Sequence, residues 1–183
     1  TLSNARVLVI SGNKDTFLQG DRTALNAAIT AKLYQHIITF PLPIVASVQG
    51  KCIGAGLFVA ALCDIVICTE TATLGVYQEG QFIYPSNEEE KVLSQRFGAG
   101  LAKHLIFNVE STSQLKQYGF TGQIVSVDDF ADVGRRQAKI FSQLSTPALK
   151  LLKQHISRQL AGTVQTLMPQ VPLDISALEF SAD

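Results

Sequence analysis

Pro43 to Ile67 constrains this chain more than any other stretch, because its residue order specifies one local geometry. Ile44-Val45-Ala46-Ser47-Val48 reads as a buried strand, Gly50 and the cluster Gly54-Ala55-Gly56 as a turn, Leu57 to Leu62 as an apolar helix, and Ile65-Val66-Ile67 as a second strand. Small residues at the turn let a ligand or another backbone come close. The first N–H groups of the helix have no partner within it and carry partial positive charge, so they point outward at the turn. That arrangement suits an oxygen acquiring negative charge. A purely structural use of the same glycines, tight packing of strand on helix, is the alternative.

The rest of the chain alternates strands and helices early and is helical late. A β-run from Thr1 to Ile10 enters the turn Ser11-Gly12-Asn13, and Thr23 to Phe40 reads as one helix ended by Pro41 and Pro43. Ser86-Asn87-Glu88-Glu89 is a capping-box pattern opening a helix to Phe97, and Ser111-Thr112-Ser113-Gln114 is a second, opening a short helix that Gly119 ends. Helices are expected at Phe130 to Leu144 and Pro147 to Leu160, the latter with Leu149, Leu152, Ile156 and Leu160 on one apolar face. Periodicity by itself gives an α/β class.

With 183 residues, 46% of them hydrophobic, the chain is long enough to bury a sizeable core. Its net charge of zero supplies no electrostatic basis for a nucleic-acid or anionic-membrane partner. No apolar run approaches the roughly 20 residues of a membrane helix, and the first residues do not resemble a signal peptide, so no membrane association is expected. Cys52, Cys63 and Cys68 lie in apolar contexts and read as reduced, buried thiols, from which a cytoplasmic location follows. No Cys/His spacing fits a metal site and no nucleophile elbow is present. Gly54-Ala55-Gly56 matches neither phosphate-binding fingerprint, which disfavours nucleotide hydrolysis and NAD chemistry.

The Pro43 to Ile67 stretch resembles the signature of the crotonase superfamily, the enoyl-CoA hydratase/isomerase family. Upstream, Val7 to Gly12 followed by Phe17-Leu18-Gln19-Gly20-Asp21 is similar to the family's first strand, its S/T-G turn and its F-x-x-G loop. Downstream, Ala72 to Pro85, Phe97-Gly98, Tyr118-Gly119-Phe120 and Ile124-Val125 follow the family's order, so the resemblance covers Ala5 to Leu160. It implies a crotonase-like ββα spiral over residues 1–127 with C-terminal helices over 128–183, forming a single domain. It also implies an acyl-CoA or acyl-carrier-protein substrate, with coenzyme A or phosphopantetheine as part of the substrate rather than a cofactor, and a homotrimer or hexamer. Typical members have two strands and a helix before the point where this chain begins, and a longer loop after Gly20. A further stretch of chain at those two places is one expectation.

Carried onto this chain, the family's two oxyanion-hole N–H groups fall on Ala55 and on Asp21, or on Gly20 if the short loop shifts the register. Phe17, Gly54, Gly56, Phe58, Tyr77 and Gln78 are the implied substrate-binding positions. Phe58 and Gln78 stand where hydratases carry their two acids, and neither transfers a proton. Glu79 and His155 are the remaining acid/base candidates, each with a bland alternative as an exposed or packed residue. His36 and His104 read as packed or half-exposed helix residues. Members that work without the acid pair include isomerases and the decarboxylases of polyketide β-branching, and the turn together with Leu152-Lys153-Gln154-His155 resembles the decarboxylase branch. That branch's lysine and tyrosine after the first oxyanion loop, and its C-terminal histidine, have no counterpart here. The implied activity is enolate stabilisation with decarboxylation or double-bond isomerisation ahead of hydration. A hydratase with a displaced acid, or a non-catalytic module for binding or oligomerisation, is the alternative.

Overall fold

The computed structural model describes residues 5–77 and 84–171. Strands come in pairs, one to each of two sheets. β1 (Leu8–Ser11) leads into β2 (Thr16–Gly20) through a turn held by Asn13, whose Oδ1 accepts from the N–H groups of Asp15 and Thr16 at 2.9 and 2.8 Å. α1 (Arg22–Thr30) and α2 (Leu33–Thr39) follow, and the pattern repeats with β3 (Ile44–Val48), β4 (Lys51–Gly54) and α3 (Ala55–Leu62). A third turn of the spiral comprises β5 (Ile65–Thr69), β6 (Thr73–Gly75), α4 (Asn87–Phe97) and α5 (Ala99–Phe107). β7 (Glu110–Ser111), α6 (Thr112–Leu115), a 3-10 turn at Lys116–Tyr118 and β8 (Gln123–Val125) complete the sheets. α7 (Val127–Phe130), α8 (Val133–Phe141) and α9 (Thr146–Gln165) end the described chain. The strand orders are β1-β3-β5-β8 and β2-β4-β6-β7, parallel throughout except for β6 against β7. This is the ββα spiral expected of the sequence.

β3 is buried at every position because the first sheet is covered on both faces. Ile44, Ala46 and Val48 enter the main core with Leu57, Phe58 and Leu62 of α3, while Val45 and Ile67 face Val133 and Phe141 of α8 and Leu149 of α9. The alternation is the period of two that a strand imposes. All three cysteines are buried in the core or at its edge, and burial pushes Cys63 and Cys68 up to about 12.

The structure corrects several local expectations, beginning with the β-run expected from Thr1 to Ile10, which among the described residues is the strand Leu8–Ser11. The helix expected over Thr23 to Phe40 is two helices, broken at Lys32, which adopts φ +56°. Leu25 and Tyr34, both buried, would lie about two and a half turns apart on one straight helix and so face opposite ways, and the break lets both reach the core. The helix expected from Phe130 begins instead at Val127, where the Ser126 hydroxyl caps Asp129 N–H at 3.2 Å, and breaks before Val133. At Ser111 the hydroxyl donates to the Gln114 side chain at 2.7 Å and caps no backbone N–H. The buried stripe of α9 is Leu149, Lys153, Ser157, Leu160 and Val164, leaving Leu152 and Ile156 exposed. The capping box at Ser86 and Glu89 forms as expected, with both reciprocal hydrogen bonds.

Candidate active site at two adjacent helix starts

β2 and β4 are parallel neighbours, and their register pairs Gly20 with Gly54. Each strand ends there and gives way to a helix, α1 with Asp21 as N-cap and α3 with Gly54 as N-cap. The peptides of Asp21 and Ala55 therefore follow equivalent positions on adjacent strands. Neighbouring strands run about 4.8 Å apart. One oxygen about 2.9 Å from each of two nitrogens can span a separation of that size.

Small side chains make this closeness possible. A Cβ on Gly20 would lie 2.9 Å from the Cβ of Ala55 and 2.7 Å from that of Ala24, and one on Gly56 would overlap the Leu18 carbonyl oxygen at 1.9 Å. Gly54 adopts φ +57°, ψ −119°, a combination open to glycine, and this turns the chain from β4 into α3. No side chain caps α3, so its leading N–H groups are not occupied in that way.

Asp21 would oppose an anion if its carboxylate faced these donors. Instead its Oδ1 accepts from Ala24 N–H at 2.9 Å, which spends the charge on the first turn of α1. The next residue anchors the same turn. Arg22 is buried and makes a bidentate pair with Glu89, 2.7 Å from Nη1 to Oε1 and 3.0 Å from Nη2 to Oε2, and Nη2 also donates to the Tyr84 carbonyl. Glu89 simultaneously accepts from Ser86 N–H at 2.7 Å, so one carboxylate joins the first turns of α1 and α4. Beside them burial pushes the Tyr34 hydroxyl up, with Glu89 adding to the effect and Arg22 opposing it. Sequence reasoning missed Arg22 and Glu89 as supports of the site. Glu89 was legible as a cap, but nothing local marks a partner on another helix start.

The remaining expected site residues are dispersed. Phe17 and Phe58 lie within the core at 2% and 1% exposure rather than lining an open pocket, because α3 is buried along nearly its whole length. Phe58 therefore presents neither an acid nor an exposed surface. Tyr77 is exposed, and Gln78 and Glu79 lie outside the described residues. His155 is exposed on the side of α9 opposite Lys153 and Ser157. Lys153 belongs to a different structure, in which its Nζ contacts both carboxylate oxygens of Asp64 at 2.9 and 2.8 Å while Oδ2 accepts from Ile44 N–H at 2.7 Å. Among the described residues no group of three or more His, Cys, Asp or Glu is placed to hold a metal ion.

A parallel ββα spiral whose two glycine-ended strands release helices side by side defines the crotonase class of fold. The chain belongs to the enoyl-CoA hydratase/isomerase family, whose model matches residues 5–177. It is 27% identical over 139 residues to the short-chain-enoyl-CoA hydratase of Clostridium acetobutylicum, covering 75% of this chain and 53% of that protein. It is 25% identical over 169 residues to the 2,3-dehydroadipyl-CoA hydratase of Escherichia coli, covering 91% and 66%. The ECH2 decarboxylase domain of CurF from Lyngbya majuscula shares the fold with a TM-score of 0.75 at 20% identity, over 87% of this chain and 69% of that one. The chain thus spans 53% to 66% of the length of these two curated relatives.

Proposed function

We propose that the peptides of Asp21 and Ala55 form an oxyanion hole for an acyl thioester on coenzyme A or a carrier protein, and that the reaction is decarboxylation or double-bond isomerisation rather than hydration by two acids. The observation that carries this reading is the register of Gly20 with Gly54, which brings two helix-leading peptides onto adjacent strand ends. In the decarboxylation the bond to the carboxylate breaks, and its electron pair passes to the thioester carbonyl oxygen as an enolate. Two N–H groups directed at that oxygen stabilise the developing charge, and protonation of the carbon completes the step. In the isomerisation a single base removes a proton from the carbon next to the thioester carbonyl to form a dienolate stabilised in the same way, and the same base returns the proton two carbons further along, which moves the double bond. Phe58, buried and apolar, supports the ordering, since water addition by the usual pair needs an acid at that place. The reading includes a homotrimer or hexamer in the cytoplasm.

The curated relatives named above are hydratases, which is the observation favouring a second reading, water addition through a displaced acid such as Glu79. Rates with a 3-methylglutaconyl thioester, a 3-enoyl thioester and a short 2-enoyl thioester separate the two. Carbon dioxide release or double-bond movement is expected, with hydration slower than that of a hydratase bearing both acids by about 10² to 10⁴. Ala55→Pro is the matching variant. Position 55 is the first residue of α3, where proline is tolerated, so the substitution removes one N–H without breaking the helix. A loss of turnover of about a hundredfold or more is expected. Unchanged turnover in the variant would remove the site from the mechanism, and rapid hydration would reverse the ordering. Failure with every thioester, with no binding of coenzyme A or carrier protein, would favour a non-catalytic module.

A further inference from the structure

A cleft lies at the other end of α3, about 12 Å along the helix axis from Ala55. It has a volume of about 310 Å³ and is lined by Asp64, Arg96, Phe97, Phe120, Thr121 and Gln123, among others. Arg96 sets its chemistry. The guanidinium donates from Nε to the Ala61 carbonyl at 2.7 Å and from Nη1 to the Asp64 carbonyl at 3.1 Å. A guanidinium has five N–H donors, so three remain.

Charge balance in the cleft is uneven. The Asp64 carboxylate is bound to Lys153 and to the Ile44 N–H, so those two side chains neutralise each other. Among the described residues Arg96 makes no ion pair and donates only to carbonyl oxygens, so two cations, Arg96 and Lys153, share the one carboxylate of Asp64, which leaves one positive charge on the cleft wall. Burial pushes the guanidinium below its ordinary value, with the Asp64 carboxylate opposing the effect. Phe97 and Phe120, with ring centroids 6.2 Å apart and planes at 30°, form an apolar wall beside it. One cation fits one monoanion, and the aromatic wall fits a hydrocarbon stem.

We propose that this cleft binds a small organic carboxylate, its oxygens on the free N–H groups of Arg96 and its apolar part on Phe97 and Phe120. A phosphate dianion is the poorer fit, because the nearby second cation, Lys153, is already committed to Asp64.

The test is calorimetric titration of the full chain with benzoate and, at the same ionic strength, with benzamide, its neutral counterpart. Saturable binding of benzoate in the millimolar range is expected, with benzamide weaker by about tenfold or more, the factor a lost charge-assisted hydrogen bond brings. Arg96→Gln should abolish the preference. Because that change also removes a support from the end of α3, Gln123→Glu provides an independent arm. It leaves both carbonyl bonds of Arg96 in place and adds a competing carboxylate at the cleft, and it should weaken benzoate by about tenfold while sparing benzamide. Equal binding of the two ligands, unchanged benzoate affinity in Gln123→Glu, or no saturable binding of benzoate would overturn the proposal.

Discussion

Lys153 illustrates what a single residue hides from sequence reading. A lysine within an amphipathic helix reads as solvated, and the apolar pattern Leu149, Leu152, Ile156, Leu160 draws the buried face through its neighbours instead. In the structure the lysine is 1% exposed at the side chain and closes an ion pair with Asp64, 89 residues away, so the stripe turns by one residue to admit it. No local rule reveals a partner at that distance. The glycine positions are the opposite case: Gly54 and Gly56 were legible because backbone conformation and close approach are local demands that only glycine meets. Breaking a buried pair leaves its partner charge uncompensated, which costs about 3–5 kcal/mol. Lys153→Met should therefore lower unfolding free energy by about 3 kcal/mol in urea melts. Asp64 keeps its bond to Ile44 N–H, so the lower part of that range is expected. A change below about 1 kcal/mol, the value of an exposed pair, would show that the bridge is solvated.

Elements were more legible than residues, with two instructive exceptions. β3, α3 and β5 follow from apolar runs and glycine punctuation, and α4 from its capping box. β4, only four residues long, is hidden inside what reads as a glycine turn, although its register with β2 is what aligns the candidate site. The break between α1 and α2 was hidden because Thr30-Ala31-Lys32 contains neither glycine nor proline. Lys32 accepts a left-handed conformation that costs a side-chain-bearing residue roughly 1–2 kcal/mol. Replacing it with glycine removes that strain, offset by roughly 0.5–1 kcal/mol of added freedom in the unfolded chain. Lys32→Gly should thus stabilise the protein by about 0.5 kcal/mol, and Lys32→Val should destabilise it by more than about 1 kcal/mol. Equal melting curves for both variants would mean that the turn relaxes to an ordinary conformation at no cost.

At the scale of the molecule, the fold was legible because three motifs in fixed order describe successive turns of one spiral, whereas which faces meet other chains is not encoded in any one of them. The last two helices carry the relevant surface. Ile140 of α8, Leu144 after it, and Leu151, Leu152 and Ile156 of α9 are all exposed, while the core is closed by Leu149, Leu160 and Val164. Exposed apolar side chains in such number on two consecutive helices are costly in water and fit a surface that another subunit covers. We therefore expect the trimer or hexamer of the proposed function, measured by sedimentation at micromolar concentration. Leu152 and Ile156 make a direct test, because neither belongs to the buried stripe. The double variant Leu152→Glu, Ile156→Glu should keep its helical circular dichroism and its melting cooperativity yet sediment as a monomer, since each subunit would have to bury two charges at the interface. A monomer before any substitution would show that this apolar surface is not used for assembly, and an intact oligomer in the double variant would move the interface away from α9.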